Sequence, residues 1–204
     1  MTGRTDGRAE RARATRARIT AAAAATFTAS GYATTSINAI AAAAGVSEQT
    51  VYYSFGNKRA VLVAALDQAI AGDDEPIPTL DRPWVHAALA EPDPHRQIAL
   101  QVAGVGEVLR RAARLLDIIR NAAADPDLAE VCTTSINHHR EVQRVFAASL
   151  AGKTPLRTDE AAAADTAVAL LSPETYLLLV DHWGWPHDRW RAWAADCLSR
   201  AVIP

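Results

Sequence analysis

A short stretch of polar and phenolic side chains, residues 48–53, has the residue types that read the base edges of double-stranded DNA. Glutamine can pair with adenine, glutamate can accept a hydrogen bond from the cytosine amino group, and threonine can contact the thymine methyl group. Glu48, Gln49 and Thr50 stand at the front of a predicted helix, and Asn38 is predicted to be exposed on the helix before it. We predict that these four side chains contact bases in the major groove, where each good pair contributes ~1–3 kcal/mol of discrimination.

A second group of side chains can hold the DNA backbone, which fixes the register of a protein on DNA without reading its sequence. The candidates are a lysine, two tyrosines and the hydroxyls that begin two short helices. They are Thr35, Ser36, Ser47, Tyr52, Tyr53 and Lys58. One of the two tyrosines could instead be a packing residue, and the sequence leaves open which one.

The predicted recognition helix has neither arginine nor lysine, so the positive charge that attracts DNA has to come from elsewhere. Arg11, Arg13 and Arg16 could supply it; the alternative is that they form an ordinary solvated face. Residues 1–72 hold eight Lys/Arg and four Asp/Glu, whereas residues 73–204 hold thirteen and nineteen. This asymmetry suits a polyanion at one end of the molecule, although chance can also produce it in a small protein.

Two short helices joined by a tight turn are predicted to position these groups. Thr35 or Ser36 can cap the first helix, because a side-chain oxygen there accepts a hydrogen bond from a free backbone N–H. Gly45 can end that helix in the left-handed conformation, and Ser47 can cap the next. The inward faces are apolar at helical spacing, with Ile37, Ile40, Ala41 and Ala44 on the first helix and Val51 and Phe55 on the second. This pattern is typical of a DNA-binding helix-turn-helix.

Over residues 11–68 the sequence resembles the tetracycline-repressor (TetR) family of transcriptional regulators. The likeness lies in the order and spacing of Ile19 to Phe27 with Gly31-Tyr32, Thr34-Thr35-Ser36, Ile40-Ala41, Ala44 to Ser47 and Thr50 to Lys58. The resemblance implies that the tyrosines, the N-cap hydroxyl and Lys58 meet the DNA backbone. It also implies a dimeric repressor that a small molecule releases from a palindromic operator. The remaining two thirds of the chain match only in helical character and length.

Beyond residue 72 the chain is predicted to be helical. Three prolines and four acids in residues 72–83 predict a linker or loop. Helices follow near 84–90, 95–122, 127–150, 158–171, 172–180 and 188–202, and Gly104 and Gly106 could mark a kink or a close contact. The predicted fold class is all-α with nine or ten helices. It comprises an N-terminal three-helix helix-turn-helix domain over residues 1–56, disordered and basic at residues 1–8, and a larger ligand-binding and dimerisation domain over residues 57–204.

A pocket between helices is predicted in the larger domain, because such ligand sites are mostly apolar with a few polar groups. Its candidate lining residues, each of which is more often plain core, are Trp84, Val105, Leu109, Leu116, Ile119, His138, Val142 and Phe146. His138 and His139 point about 100° apart on a helix and are not expected to share a metal ion. Cys132 and Cys197 are expected to be reduced thiols, and no cofactor is predicted.

The apolar segments 161–171 and 174–183 suit a four-helix bundle formed by two helices from each of two subunits, although they could pack within one subunit. No run of about eighteen apolar residues predicts a membrane span, and a cytoplasmic location is expected. No GxSxG, P-loop or HExxH pattern points to an enzyme. We predict a ligand-responsive transcriptional regulator, most simply a repressor, that binds its operator as a homodimer and is released by a small apolar or aromatic effector. The alternative is a helical small-molecule-binding protein or scaffold without operator binding.

Overall fold

The computed structural model describes the backbone of residues 3–73, 75 and 77–204, and the side chains of these residues except 3–6 and 127. Within these ranges every regular element is helical, which confirms the predicted all-α class. The first helix begins at Gly3, so the backbone of residues 3–8 is helical where the sequence predicted disorder. Residues 1 and 2, which belong to the same prediction, lie outside the described residues.

Three helices form the predicted helix-turn-helix, and a fourth follows directly. They are α1 (Gly3–Thr34), α2 (Ile37–Ala44), α3 (Glu48–Phe55) and α4 (Lys58–Ala71). α1 is interrupted near its end by Gly31, whose φ of 77° suits glycine and strains other residues. Ser36 rather than Thr35 caps α2, and Ser47 caps α3; each side chain accepts a backbone N–H from the first turn of its helix.

The turn between α2 and α3 is made by Gly45, which has left-handed backbone angles of φ 64° and ψ 41°. Its N–H donates to the carbonyl oxygen of Ala42 (3.2 Å), and the N–H of Val46 donates to that of Ala41 (3.0 Å). These bonds satisfy carbonyls that a helix end otherwise leaves open. The predicted glycine turn is confirmed, and it fixes the direction in which α3 leaves α2.

The rest of the described chain forms a bundle of further helices. They are α5 (Pro83–Ala90), α6 (Pro94–Asn121), α7 (Pro126–Ala151), α8 (Glu160–Leu170), α9 (Pro173–Tyr176) and α10 (His187–Val202), with a 3₁₀ turn at Thr79–Asp81 before α5. Four of them begin with proline, whose fixed φ suits the first helical position and whose missing N–H is not needed there. α6 is the central helix, since it packs against α1, α4, α5, α7, α9 and α10.

α9 runs without a break into a π-helical segment, Leu177–His182, which the sequence did not predict. π-helical turns are rare and are often found at functional sites. The N–H of Trp183 donates to the carbonyl oxygen of Leu178 (3.0 Å) and ends the segment. Gly184 follows with a φ of 69°, in the left-handed region that suits glycine. Leu178 and Trp183 remain 46% and 60% exposed, so the segment carries apolar side chains on the surface of the single subunit.

Two apolar cores meet along α6. The first joins Phe27 and Val51 of the helix-turn-helix to Leu115 and Ile119 of α6. The second packs α6 against α7, α8, α9 and α10, with Trp190 at its centre. Because α6 contributes to both cores, the helix-turn-helix does not pack by itself. A domain boundary after residue 56 therefore stays a prediction.

Gly104 and Gly106 allow close helix contacts within α6, which runs as one helix from Pro94 to Asn121. A Cβ on Gly104 would lie 2.0 Å from Cε3 of Trp84, and one on Gly106 would lie 3.0 Å from Cζ3 of Trp190. The absent side chains thus leave room for indole rings from α5 and α10. Of the two interpretations that the sequence left open, the structure supports close contact.

One stretch, Glu160–His182, is long and apolar enough to cross a membrane by length and composition, with a mean hydropathy of 1.2 and 33% of it buried. Two helices make up this stretch. α8 ends at Leu170, and Ser172 caps α9 at Pro173. Core helices of globular proteins pass the same test of length and hydropathy.

Candidate nucleic-acid interface and cavity

The outer face of α3 presents several of the residues predicted to meet DNA. Tyr53 is 91% exposed and Tyr52 is 50% exposed, so neither is a buried packing residue. Glu48 and Gln49 are exposed at the start of the helix, whereas Val51 is completely buried. α3 therefore turns one face into the core and one into solvent, and contact of the outer face with DNA stays a prediction.

Two of the predicted base readers bond to each other. Nδ2 of Asn38 donates to Oε1 of Glu48 at 2.6 Å, across the turn between α2 and α3. The hydroxyls of Ser47 and Thr50 lie 2.8 Å apart, which restrains Thr50 as well. Within the described residues, Gln49 is the one predicted reader without such a bond. Its amide is the group on this surface that is most available to a base edge.

Lys58 has its hydrogen-bond partners inside the protein. Its ammonium donates to the carbonyl oxygens of Tyr32 (2.9 Å) and Thr35 (3.1 Å). It also lies 4.3 Å from the centre of the Tyr32 ring, a cation–π distance. Thr35 is 3% exposed, and its hydroxyl donates to the carbonyl oxygen of Gly31 at 2.7 Å. Both predicted phosphate contacts therefore hold the end of α1 against the start of α4.

Arg16 is bound to the end of the predicted recognition helix. Its Nη1 donates to the carbonyl oxygen of Ser54 at 2.5 Å, and its guanidinium carbon lies 4.1 Å from the centre of the Phe55 ring. A cation is favourable at the carbonyl end of a helix. Arg11 donates to the carbonyl oxygen of Gly7 within its own helix at 2.8 Å. Arg16 therefore positions α3, where the sequence suggested a phosphate contact or a solvated face.

Replacing Lys58 by methionine is expected to lower the free energy of unfolding by about 1–2 kcal/mol, because two charge-assisted hydrogen bonds to backbone carbonyls are lost. Methionine keeps most of the apolar stem, so the charge is the main change. Urea unfolding at one fixed protein concentration measures the difference. Arg59→Met is the matched control, because Arg59 pairs at 2.8 Å with Glu130, which is 79% exposed, and such surface pairs contribute about 0–1 kcal/mol. Equal midpoints for wild type and Lys58→Met would contradict the internal role.

A cavity of about 250 Å³ lies where α4, α5, α6, α7 and the junction of α8 with α9 meet. Seven of the eight residues predicted to line a pocket lie in its wall: Trp84, Val105, Leu109, Leu116, Ile119, His138 and Val142. The eighth, Phe146, is completely buried beside Trp84, with ring centres 6.1 Å apart, and does not line the cavity. The structure thus gathers most of the predicted set around one space, while ligand binding there stays a prediction.

Part of the wall was not predicted from the sequence. Leu66, Asp67 and Ile70 of α4 line the cavity, and so do Pro173 and Glu174 of α9. Leu66 and Ile70 are four residues apart in an apolar stripe, which by itself cannot distinguish core from cavity wall. The consequence is that the cavity contacts the helix that follows directly from the helix-turn-helix.

Two polar groups on α7 were also missed. Gln143 is completely buried, and its Oε1 accepts a hydrogen bond from Nε2 of Gln101 at 2.7 Å. Nε2 of Gln143 and Nε2 of His139 are buried without a hydrogen-bond partner among the described residues. A signal was present, because positions 139, 142, 143 and 146 form one helical face. A histidine and a glutamine therefore share that face with Val142 and Phe146.

The charge state of the cavity follows from burial. Burial lowers the pKa of His139 to about 4, and the neighbouring His138 acts in the same direction, so the His139 ring is neutral at pH 7. Burial raises the pKa of the Asp67 carboxyl above its ordinary value, and His138 partly opposes this. Nε2 of His138 lies 3.2 Å from Oγ1 of Thr79. His138, Thr79 and Asp67 line both the cavity and an adjoining outer groove. These three residues therefore mark the cavity mouth.

The sequence model of the tetR family of bacterial regulatory proteins matches residues 19–65, which run from α1 into α4 and include the turn at Gly45. Over this segment, which holds the helix-turn-helix, the chain matches the TetR family. TetR-family proteins are helix-turn-helix DNA-binding regulators of transcription. No curated protein matches the chain.

Solved structures share the fold of this chain over nearly its whole length. NalD of Pseudomonas aeruginosa, the secondary repressor of the MexAB-OprM multidrug efflux pump, is 21% identical with a TM-score of 0.68, over 94% of this chain and 98% of its own. SmeT in complex with triclosan is 22% identical with a TM-score of 0.70, over 94% and 92%. The multidrug binding protein EbrR complexed with imidazole is 28% identical with a TM-score of 0.56, over 93% and 89%.

Proposed function

We propose that this TetR-family chain forms a dimeric, one-component repressor. The free dimer binds a palindromic operator through α3, and a small apolar or aromatic molecule in the cavity releases it. The observation that carries the proposal is that one cavity is walled both by α4, which follows the helix-turn-helix, and by the junction of α8 with α9. A ligand there would touch both the helix that leads to the DNA-binding face and the segment that would meet a second subunit.

Operator binding is supported by the outer face of α3. Gln49 offers a free amide at the helix start, and Tyr52 and Tyr53 offer exposed phenols beside it. An amide can pair with adenine, and phenol hydroxyls can bond to phosphates. Ser36 and Ser47 are exposed at the two helix N-termini, where free backbone N–H groups favour an anion.

Dimerisation is supported by the apolar surface that follows α8. Leu178 and Trp183 are 46% and 60% exposed, and Leu170, Leu177 and Val180 are only partly covered. A second copy of the same segment would cover these side chains in a two-fold, four-helix arrangement. The same contact would position the α3 helices of the two subunits so that they can enter two successive turns of the major groove.

Coupling between cavity and DNA is supported by the attachments of α4. The hydroxyl of Thr20 in α1 donates to the amide oxygen of Gln68, which links α4 to α1. Arg111 of α6 donates to the carbonyl oxygens of Ala69 (2.8 Å) and Ile70 (3.1 Å) at the end of α4. A ligand that fits one position of α4 better than another shifts the population between them. The named relatives agree, since NalD is a repressor and SmeT was solved with triclosan.

Selection from a random duplex library tests the proposal, because the protein itself picks out the operator sequence. We expect the wild-type protein to recover one sequence with two inverted half-sites about one helical turn apart or somewhat more. Gln49→Ala is expected to reduce the preference for that sequence over random DNA about tenfold, because a bidentate amide–base pair contributes about 1–3 kcal/mol of discrimination. Affinity for random DNA is expected to stay the same.

Asn137→Ala is the control for this substitution, because Asn137 is an exposed carboxamide on α7, away from α3. It is expected to leave both affinities unchanged. A library that yields no preferred sequence would favour the alternative, a helical ligand-binding protein without an operator. Full preference in Gln49→Ala would show that another residue reads the bases.

A further inference from the structure

We propose that the cavity takes an uncharged, largely apolar molecule of one to two rings that accepts a hydrogen bond from Nε2 of Gln143. The inference rests on the proposed function only in treating this cavity as the effector site. It adds the chemical class of the effector and the residue that selects it.

The size and lining of the cavity set the body of the ligand. Its volume is about 250 Å³, and an apolar protein cavity of about 150 Å³ is already large enough for benzene. Trp84, Leu109 and Leu116 are among its walls. Flat rings and short branched chains suit such a space, because their contribution to binding comes from the apolar surface removed from water.

Gln143 supplies the polar requirement. Its side chain is completely buried, and one end of its amide is fixed because Oε1 accepts the Gln101 hydrogen bond at 2.7 Å. The other end, Nε2, is buried without a hydrogen-bond partner in the described structure, and Gln143 is one of the residues that line the cavity. A buried donor without a partner destabilises the protein by about the free energy needed to remove that group from water. A ligand acceptor that reaches Nε2 removes this cost, so the site favours such ligands over hydrocarbons of the same shape.

The charges around the cavity favour a neutral ligand. Arg120 is already paired with Glu174, so the described wall offers an anion no unpaired cation. His139 lies one turn before Gln143 and is neutral at pH 7. Asp67 at the mouth disfavours an anion further when it is ionised. Burying a cation beside the neutral side chains of His139 and Gln143 is also unfavourable. An uncharged acceptor such as a ketone avoids this cost.

Three naphthalene probes test the inference on DNA-free protein by isothermal titration calorimetry. 2-Acetylnaphthalene carries a carbonyl acceptor, 2-isopropenylnaphthalene replaces that oxygen by a methylene of similar shape, and 2-naphthoate carries a charge. We expect wild type to bind the ketone about tenfold more tightly than the hydrocarbon, and the carboxylate more weakly than either. Equal affinity for ketone and hydrocarbon, tightest binding of the carboxylate, or no binding of any probe would overturn the inference.

The double variant Gln101→Leu/Gln143→Leu assigns the preference to this amide. Both hydrogen-bond partners are replaced together, so no buried donor is left unpaired, and such exchanges can be nearly neutral for stability. We expect its ketone-to-hydrocarbon ratio to fall to about one while it still binds the hydrocarbon. A ratio that stays near ten would overturn the role of Gln143. The wild-type comparison decides the ligand class even if the variant does not fold.

These measurements contain no DNA, so they separate the two proposals. A protein that discriminates the probes but selects no operator would contradict the proposed function and leave this inference standing. A protein that selects an operator but treats ketone and hydrocarbon alike would contradict only this inference.

Discussion

Between pH 7 and pH 4 the free energy of unfolding is expected to fall by about 2–3 kcal/mol through one partly buried imidazole, because a pKa unit corresponds to about 1.4 kcal/mol. The imidazole is that of His139, whose pKa burial lowers from 6.5 to about 4. In the unfolded chain it takes up a proton near pH 6.5, whereas in the folded protein it does so only near pH 4. Between these values the unfolded state holds more protons, so acid favours unfolding.

Other groups with shifted pKa values act in the opposite direction or at lower pH. Asp67 has a raised pKa in the folded protein, so its protonation favours the folded state as the pH falls. Glu107 and Asp93 have lowered pKa values because of hydrogen bonds from Arg110 and from backbone N–H groups, but both are largely in solvent. Their stabilising effect is lost only at still lower pH. His139 therefore dominates the interval from pH 6.5 to pH 4.5.

Urea unfolding at several pH values, at constant protein concentration, measures this effect. His139→Leu is expected to flatten the dependence of unfolding free energy on pH in that interval. His86→Gln, which changes an exposed histidine on α5, is expected to keep the wild-type slope. The assignment would be wrong if His139→Leu and wild type lost stability in parallel.

Gly104→Ala is expected to destabilise the protein by about 2 kcal/mol, although alanine normally stabilises a helix interior by about 1 kcal/mol relative to glycine. The new methyl carbon would lie 2.0 Å from Cε3 of Trp84, whereas carbon atoms in contact prefer about 3.5–4.0 Å. The indole cannot simply retreat, because it stacks on the completely buried ring of Phe146. Steric repulsion therefore outweighs the gain in helix propensity.

A double-mutant cycle tests whether Trp84 causes this destabilisation, because the effect of Gly104→Ala on stability is expected to change sign when Trp84 is replaced. In a Trp84→Leu background the methyl group has space, and Gly104→Ala is expected to stabilise by about 1 kcal/mol through helix propensity. Gly152→Ala is the control, since the nearest atom to its Cβ would be 3.5 Å away. Urea midpoints of the four proteins measure the cycle. A destabilisation of equal size in both backgrounds would show that Trp84 is not the cause.

Local signals in the sequence were enough to predict the helix-turn-helix. Ser36, Gly45 and Ser47 act on backbone groups within one turn of themselves, so residue type and position determine their roles. Ser172 with Pro173 predicts the start of α9 for the same reason. The order of helices after residue 83 followed from apolar spacing and from proline and glycine between the elements.

Long-range partners could not be predicted in this way. Lys58 bonds to residues 23 and 26 positions away, and Arg16 bonds to Ser54, 38 positions away. The sequence pattern does not show which backbone carbonyls lack a donor and come close to a cationic side chain in the fold. Such a side chain is therefore predicted to face solvent or DNA. The same limit explains the pair of Asn38 and Glu48, which depends on the angle between α2 and α3.

The cavity was predicted in its apolar part and at His138, but its other polar residues were missed. The stripe that contains Val105 and Leu109 is the same whether it meets core or empty space, so the volume itself follows only from three-dimensional packing. Gln143 and His139 could have been recognised from the face that they share with Val142 and Phe146. The unpaired atom on each becomes visible only when the surrounding helices are in place.

The division of the cavity wall among helices has a practical meaning for biosensor engineering. Residues of α5 and α6, such as Trp84 and Val105, contact the space without belonging to α4 or α9. Substitutions at these positions are expected to change which compounds bind, while reporter expression in the absence of a compound stays low. Substitutions at Leu66 or Pro173 are expected to change ligand preference and background expression together, because in the proposed mechanism the helices that carry them also transmit the response.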